Sequence, residues 1–366
     1  IPSLHDFPVS KIPTDCGGRD AACERCSVTA TRIADKPGND KILSLAVTPG
    51  TGFAIIETRV TIDTFPLNFP QIINGATVTQ MQFEAPTSVD DAVRCLAQAG
   101  DSAKILAGGT DLLVQLRSGR IRPGTIVDIK QIPELRAVTA ENGGFRIGAA
   151  VSGAELNENA AVKAAWPGLV EGLDLIGSTQ IQGRASLGGN LCNASPAADS
   201  VPGMIAAGAI CAVAGPDGRR DVPVEDIAIA PGKTSLKPGE FIVSFLLPPR
   251  PPHSGDAYLR FIPRTEMDIA VVGAGVSLTL DDNGTCIAAR VALGAVAPTA
   301  LLVEDAAAAL IGTPVDAAAL EKLGSAAMAA CNPIDDKRGT VEYRTKVAGV
   351  LARRAAEKAL ERARTN

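Results

Sequence analysis

The sequence predicts an α+β chain, and three patterns support that class. From residue 81 onward, strand-length apolar runs such as Lys104-Ile105-Leu106-Ala107 and Ile126-Val127-Asp128-Ile129 alternate with helix-periodic segments, but the order never settles into a repeating βαβ unit. Residues 210–247 are rich in strand-like runs separated by turn signals. Beyond the proline cluster Pro248-Pro249-Arg250-Pro251-Pro252, alternating runs come first and helix-periodic stretches close the chain.

Taken in order, residues 1–80 carry proline, glycine and polar residues with little periodicity beyond a strand-like run at 52–60. They read as an N-terminal extension with little regular structure, and Met81-Gln82-Phe83 as the natural start. Ser88 can cap a helix over 88–99, on which Val89, Ala92, Val93 and Leu96 share a face. A strand at 104–107, a brief helix at 112–116 ending near Gly119, and a buried strand at 125–129 follow. Asn142-Gly143 marks a hairpin between 137–139 and 145–148. Helices from 153 and over 160–176 come next. Strands at 210–214 and 219–222 flank Gly215-Pro216-Asp217-Gly218, and 240–247 is another apolar strand. The first domain is therefore 81–250. In the second, 255–366, a β-meander of 258–262, 269–280 and 286–296 turns at Asp281-Asp282-Asn283-Gly284, and helices at 303–311, 316–331 and 341–364 complete it. Gly273-Ala274-Gly275 invites a dinucleotide-binding reading, but Leu278 stands where a third glycine belongs and the run continues as a strand, so it is read as a packing feature.

Composition excludes several classes of function. The chain has 366 residues, 46% of them hydrophobic, and a net charge of −5, with no basic run or aromatic-interleaved patch for nucleic acid. No apolar run reaches the roughly 18–20 residues of a membrane span, and Ile1-Pro2-Ser3-Leu4 has no secretion-signal character, so a cytoplasmic location is expected. Five of the eight cysteines, Cys95, Cys192, Cys211, Cys286 and Cys331, stand singly in apolar surroundings and read as reduced core thiols. Cys16, Cys23 and Cys26 include a C-x-x-C, but only His5 could complete a ligand set, and no metal site is assigned. The two histidines, His5 and His253, are far apart, and neither a Ser-His-Asp set nor H-E-x-x-H occurs. No catalytic residue is assigned.

The chemistry concentrates in two glycine loops, Ala107-Gly108-Gly109-Thr110-Asp111 and Ser186-Leu187-Gly188-Gly189-Asn190. Paired glycines let backbone N–H groups approach an anion, and Thr110, Ser186 and Asn190 add donors at close range. Two such loops suit the linked phosphates of a dinucleotide, one on each side. A carboxylate would repel phosphate, so Asp111 is read as capping its own helix while Thr110 faces the ligand.

The run Lys104-Ile105-Leu106-Ala107-Gly108-Gly109-Thr110-Asp111, then Ile126-Val127-Asp128-Ile129, then Ser186-Leu187-Gly188-Gly189-Asn190-Leu191 with Ser195-Pro196-Ala197-Ala198-Asp199, resembles the FAD-binding medium subunit of molybdenum hydroxylases, the xanthine dehydrogenase and carbon monoxide dehydrogenase relatives. Leu236-Lys237-Pro238-Gly239-Glu240, the Arg264-x-x-x-Asp268-Ile269-Ala270 run and Glu342-Tyr343-Arg344 continue the resemblance in the same order. It implies a two-lobed FAD-binding domain of the vanillyl-alcohol-oxidase (PCMH) type, followed by the family's C-terminal α+β domain. It places the cofactor on both loops, with Lys104, Ile105, Leu106 and Gly177 alongside, Asp199 on the ribityl or ribose hydroxyls, Leu236 near the flavin ring, and Arg260 where a positive charge would stabilise the reduced anion. It also implies an iron-sulfur small subunit and a large subunit with the molybdenum cofactor, the 2Fe-2S clusters and molybdenum residing on those chains, and NAD+, a quinone or oxygen as electron acceptor. Two other readings stay open at this point: a self-sufficient flavin oxidase or reductase, and a non-enzymatic nucleotide-binding assembly module.

Overall fold

A computed structural model describes residues 81–366 and, for backbone alone, 27–35, 40–48, 54–61, 72–73 and 76–77. The chain divides into two compact units, Ile1–Val78 and Thr79–Asn366.

In the first unit, strands Ser27–Asp35, Asp40–Thr48 and Ala54–Thr61 form an antiparallel meander, and Ile72–Ile73 pairs with Ala76–Thr77. Only the last long strand was expected. The others have period-2 alternation, as in Leu43, Leu45 and Val47, and turn-forming Pro37-Gly38 and Pro49-Gly50 between them, a pattern obscured by the surrounding polar residues. The C-x-x-C motif and His5 lie outside the described residues.

The second unit opens with a small parallel sheet in which Thr125–Asp128 lies between Gln82–Glu84 and Ala103–Leu106. Helix Val89–Ala99 starts at Ser88, whose side chain accepts the Asp91 N–H, and buries Val89, Ala92 and Leu96. That face meets Val127 of the parallel sheet, Ile129 in the turn just after it, and Phe241 and Val243 of a second, five-stranded antiparallel sheet, so one helix joins two lobes. The larger sheet runs in the order Gly218–Pro223, Ile210–Gly215, Phe241–Leu247, Gly144–Gly148, Val138–Glu141. Its last hairpin turns on Asn142 and Gly143, both at positive φ (50° and 80°), as the Asn-Gly signal predicts. The helical stretch expected at 160–176 is two helices, Ala160–Ala165 and Pro167–Asp174, because Pro167 has no N–H to continue the ladder and starts the second at its first position.

A four-stranded antiparallel sheet follows, Ser254–Phe261, Val272–Leu280, Cys286–Gly294 and Leu301–Leu302, its first three strands in the predicted meander order. Its central turn closes on Asp281, whose Oδ1 accepts the N–H groups of Asn283 (3.0 Å) and Thr285 (2.8 Å). Helix Val341–Thr365 lies across the sheet on a face of alanines that includes Ala348, Ala352, Ala355, Ala356 and Ala359. Small side chains let backbones approach closely: a Cβ on Gly255 would sit 1.9 Å from the Ala359 carbonyl oxygen. Gly273 and Gly275 are packing residues within the sheet, facing Tyr258 and Pro202 respectively.

Candidate functional site: a cleft between two glycine loops

The two loops meet. A Cβ on Gly108 would fall 1.9 Å from the Arg184 carbonyl oxygen, so only glycine lets the first loop lie against the chain entering the second. Gly109 has φ +81°, a conformation that side chains oppose. Around this junction runs a cleft of about 600 Å³, within the roughly 300–1,000 Å³ range of small-molecule sites.

Of the residues singled out from sequence, Lys104, Ile105, Ala107, Gly108, Gly109, Thr110, Asp111, Ser186, Gly188, Gly189, Asn190 and Leu236 line this cleft. Leu106, Gly177, Leu187, Asp199 and Arg260 are not on its wall. Leu106 packs under the loop, with its Cδ1 2.9 Å from where a Gly109 Cβ would be. Leu187 is buried in the core of the larger lobe.

The loops differ in what they offer an anion. Among the described residues, no protein acceptor faces the N–H groups of Gly108, Gly109, Thr110, Asp111 and Leu112. A run of successive backbone donors in a loop is an anion-binding concavity. In the second loop the corresponding donors are engaged: Gly188 to the Ala149 carbonyl (3.2 Å), Gly189 to Ser186 Oγ (3.2 Å) and Asn190 to the Ser186 carbonyl (2.9 Å). This corrects the expectation of two equal half-cradles. Ser186 is the N-cap of Leu187–Cys192, so its oxygen serves the helix. Side chains remain available on this side. Asn190 Oδ1 accepts the N–H (3.3 Å) and hydroxyl (2.7 Å) of Ser200, leaving Nδ2 without an acceptor among the described residues.

Asp111 also departs from expectation. It occupies the N-cap position of Leu112–Arg117, but its φ, ψ (−94°, −47°) are helical rather than the extended values of a capping residue, and its side chain makes no capping hydrogen bond. Burial pushes its carboxyl above the usual range. Cys192, expected in a core, is exposed on the cleft wall, whereas Cys211 and Cys286 are buried. Sequence reading missed Gln115 and Asn193, which bridge the two sides through Gln115 Nε2 to Asn193 Oδ1 (3.3 Å). Both follow their glycine loops by a few residues, which was the available signal. Ile176 and Thr234 were also missed, because one lies just past a helix end and the other in a two-residue strand, too short for a periodic pattern to single out a face.

Asp199 and Arg260 form a buried ion pair behind the cleft. Asp199 caps no helix N–H. Its Oδ1 accepts the Tyr258 hydroxyl (3.0 Å) and its Oδ2 accepts Arg260 Nη1 (2.8 Å). Burial raises the carboxyl to about 6, a rise that Arg260 and Tyr258 only partly offset. In the Glu342-Tyr343-Arg344 stretch, Arg344 is buried and donates to the Val271 carbonyl (2.8 Å) and Asp336 (2.7 Å), tying the last helix to the sheet. Among the described residues there is no cluster suited to a metal ion, and no helix is long and apolar enough to cross a membrane.

Two family descriptions match the chain: "FAD binding domain in molybdopterin dehydrogenase" over residues 79–250, and "CO dehydrogenase flavoprotein C-terminal domain" over 257–359. The carbon monoxide dehydrogenase medium chain of Hydrogenophaga pseudoflava is 34% identical over 75% of this chain and 96% of its own length. A putative xanthine dehydrogenase FAD-binding subunit of Escherichia coli is 32% identical over 76% of this chain and 95% of its own. Among solved structures, a Cu,Mo carbon monoxide dehydrogenase superposes with a TM-score of 0.74 at 35% identity, over 77% of this chain and 98% of that one. Quinoline 2-oxidoreductase of Pseudomonas putida 86 gives 0.71 at 28% identity, over 78% and 98%.

Proposed function

The chain belongs to the FAD-binding medium subunits of the molybdenum hydroxylases, and on that premise we propose that it holds FAD in the cleft and relays electrons from an iron-sulfur partner to an external acceptor. The observation that carries the site assignment is the row of unpartnered N–H groups from Gly108 to Leu112 on the cleft wall. These neutral donors fit a pyrophosphate, and they lie where Gly108 and Gly109 keep the backbone bare.

Each element then has a role. The N–H groups of 108–112 hold the pyrophosphate from one side, while the Ser186 hydroxyl and Asn190 Nδ2 approach from the other. Leu236 and Ile176 offer apolar surface to a flat ring. Asp199 and Arg260, paired with each other behind the wall, support it at that end, where Arg260 also holds the Leu175 carbonyl beside Ile176. When bound, FAD supplies the redox chemistry for which the chain assigns no side chain, so the protein's part is to bind, orient and tune.

The same reading makes the chain one subunit of a complex, with an iron-sulfur small subunit delivering electrons and a molybdenum-containing large subunit oxidising the substrate. NAD+, a quinone or oxygen is the acceptor, and the cytoplasm the location. The test compares substrate-driven flavin reduction in the isolated chain and in a reconstituted three-subunit complex. Reduction only in the complex is expected. Rapid reduction of the isolated chain by a purine, aldehyde or N-heterocycle would favour a stand-alone flavoenzyme.

A further inference from the structure

We propose that Tyr258, in the C-terminal domain, is a positioning residue for the FAD cleft of the first domain, acting through Asp199; the proposal rests on the FAD-binding reading above. Strand Ser254–Phe261 belongs to the C-terminal sheet, and its residues 256, 258 and 260 share one face. All three bond to the first domain. Asp256 accepts the Gly168 N–H (2.8 Å), Tyr258 Oη donates to Asp199 (3.0 Å), and Arg260 Nη1 donates to Asp199 (2.8 Å) and to the Leu175 carbonyl (2.6 Å). The backbone N–H of Tyr258 adds a bond to Glu171 (2.9 Å).

What this face grips sits directly behind the cleft wall. Asp199 is followed by Ser200, which holds the amide of cleft-lining Asn190 through two hydrogen bonds. Leu175 is followed by Ile176, also on the wall. The strand thus fixes two wall segments from behind. Arg260 alone would secure one carboxylate oxygen of Asp199. Tyr258 secures the other, and with both held the carboxylate cannot rotate.

Two features of the sequence make little sense unless that hydroxyl matters. Tyr258 is 2% exposed, and a phenylalanine would fill the same volume without burying an O–H that must find a partner. Gly273, on the neighbouring strand, weakens the sheet interior, but a Cβ there would come 2.6 Å from the Tyr258 hydroxyl. The glycine clears the space that the hydroxyl occupies.

The experiment measures FAD release and the visible flavin spectrum of the assembled complex carrying Tyr258→Phe, Gly273→Ala or the control Tyr343→Phe, whose ring is exposed at the start of the last helix. Tyr258→Phe should release FAD about three- to tenfold faster, the scale of one hydrogen bond, with a less resolved flavin band. Gly273→Ala should change both readouts in the same direction, and Tyr343→Phe should change neither. If Tyr258→Phe and Gly273→Ala melt at lower temperature but keep wild-type release and spectrum, the tyrosine is merely structural and the proposal falls. If Tyr258→Phe does not fold, Gly273→Ala decides by the same criteria. A wild-type complex without FAD would overturn the function on which the proposal rests, an outcome distinct from flavin that is bound and indifferent to Tyr258.

Discussion

Gly108→Ala should separate the two loops and with them the cofactor. The new Cβ would lie 1.9 Å from the Arg184 carbonyl oxygen and 2.6 Å from its carbon. Ordinary C···O contact needs about 3.3 Å, so the backbones must part by roughly 1.4 Å. Both clashing atoms belong to main chain, and no rotamer change can relieve them. Overpacking of this kind costs about 1–3 kcal/mol. Because relief comes by moving the donors of 108–112 away from the opposite wall, the cost should surface partly as a lower melting temperature and partly as weaker FAD binding, up to roughly 5- to 150-fold. Gly189→Ala is the matched comparison. Its Cβ would meet only Ser186 Oγ, at 3.2 Å, and the N–H groups nearby already serve the protein. It should bind FAD within about threefold of wild type, the scale of a few tenths of a kcal/mol. Titrating apoprotein with FAD by fluorescence quenching gives both numbers. Wild-type affinity in Gly108→Ala, or greater damage from Gly189→Ala, would refute the asymmetric cleft.

Three further outcomes are expected. Gln115→Ala and Asn193→Ala should each weaken FAD binding several-fold, and their double-mutant cycle should show coupling of about 0.5–1.5 kcal/mol, since each removes one hydrogen bond across the cleft; additive effects would mean that the bridge does not couple the sides. Asp256, buried against Arg250, has its carboxyl raised to about 6, so the folded protein binds a proton more tightly than the unfolded chain and this residue's contribution to stability falls as pH rises from about 4 to 6. By urea unfolding, the stability of Asp256→Asn relative to wild type should therefore be greater at pH 7 than at pH 4, by up to about 2–3 kcal/mol, and a pH-independent difference would contradict the shift. Removing residues 1–78, the separate first unit, should leave FAD content and melting temperature of the remainder nearly unchanged, measured by absorbance and calorimetry.

Much of the architecture was legible because local chemistry and tertiary structure agree. Ser88 caps where its hydroxyl reaches the Asp91 N–H, Asn142-Gly143 turns where two positive φ values are needed, and the three alternating runs after the proline cluster pair in sequence order. Glycine pairs located the cleft because close backbone approach admits no other residue. Which loop keeps its donors free was only partly legible: the Ser186 bonds to Gly189 and Asn190 are local, but the Gly188 N–H is taken by the carbonyl of Ala149, a residue distant in sequence. The surroundings of Asp199 were hidden for the same reason. Its partners Tyr258 and Arg260 come from another domain, and only the fold shows that alternate residues of one strand face it. In residues 1–80, period-2 runs are present but are diluted by proline and glycine, and no apolar clustering announces them.

The central claim, that the 108–112 backbone is the phosphate-binding side of an FAD cleft, is tested most directly by a crystal structure with FAD bound. Pyrophosphate oxygens should lie about 2.9 Å from backbone nitrogens of residues 108–112, with Asn190 Nδ2 approaching from the opposite side. A pyrophosphate held by the N–H groups of 187–190, with those of 108–112 facing only solvent, would contradict it.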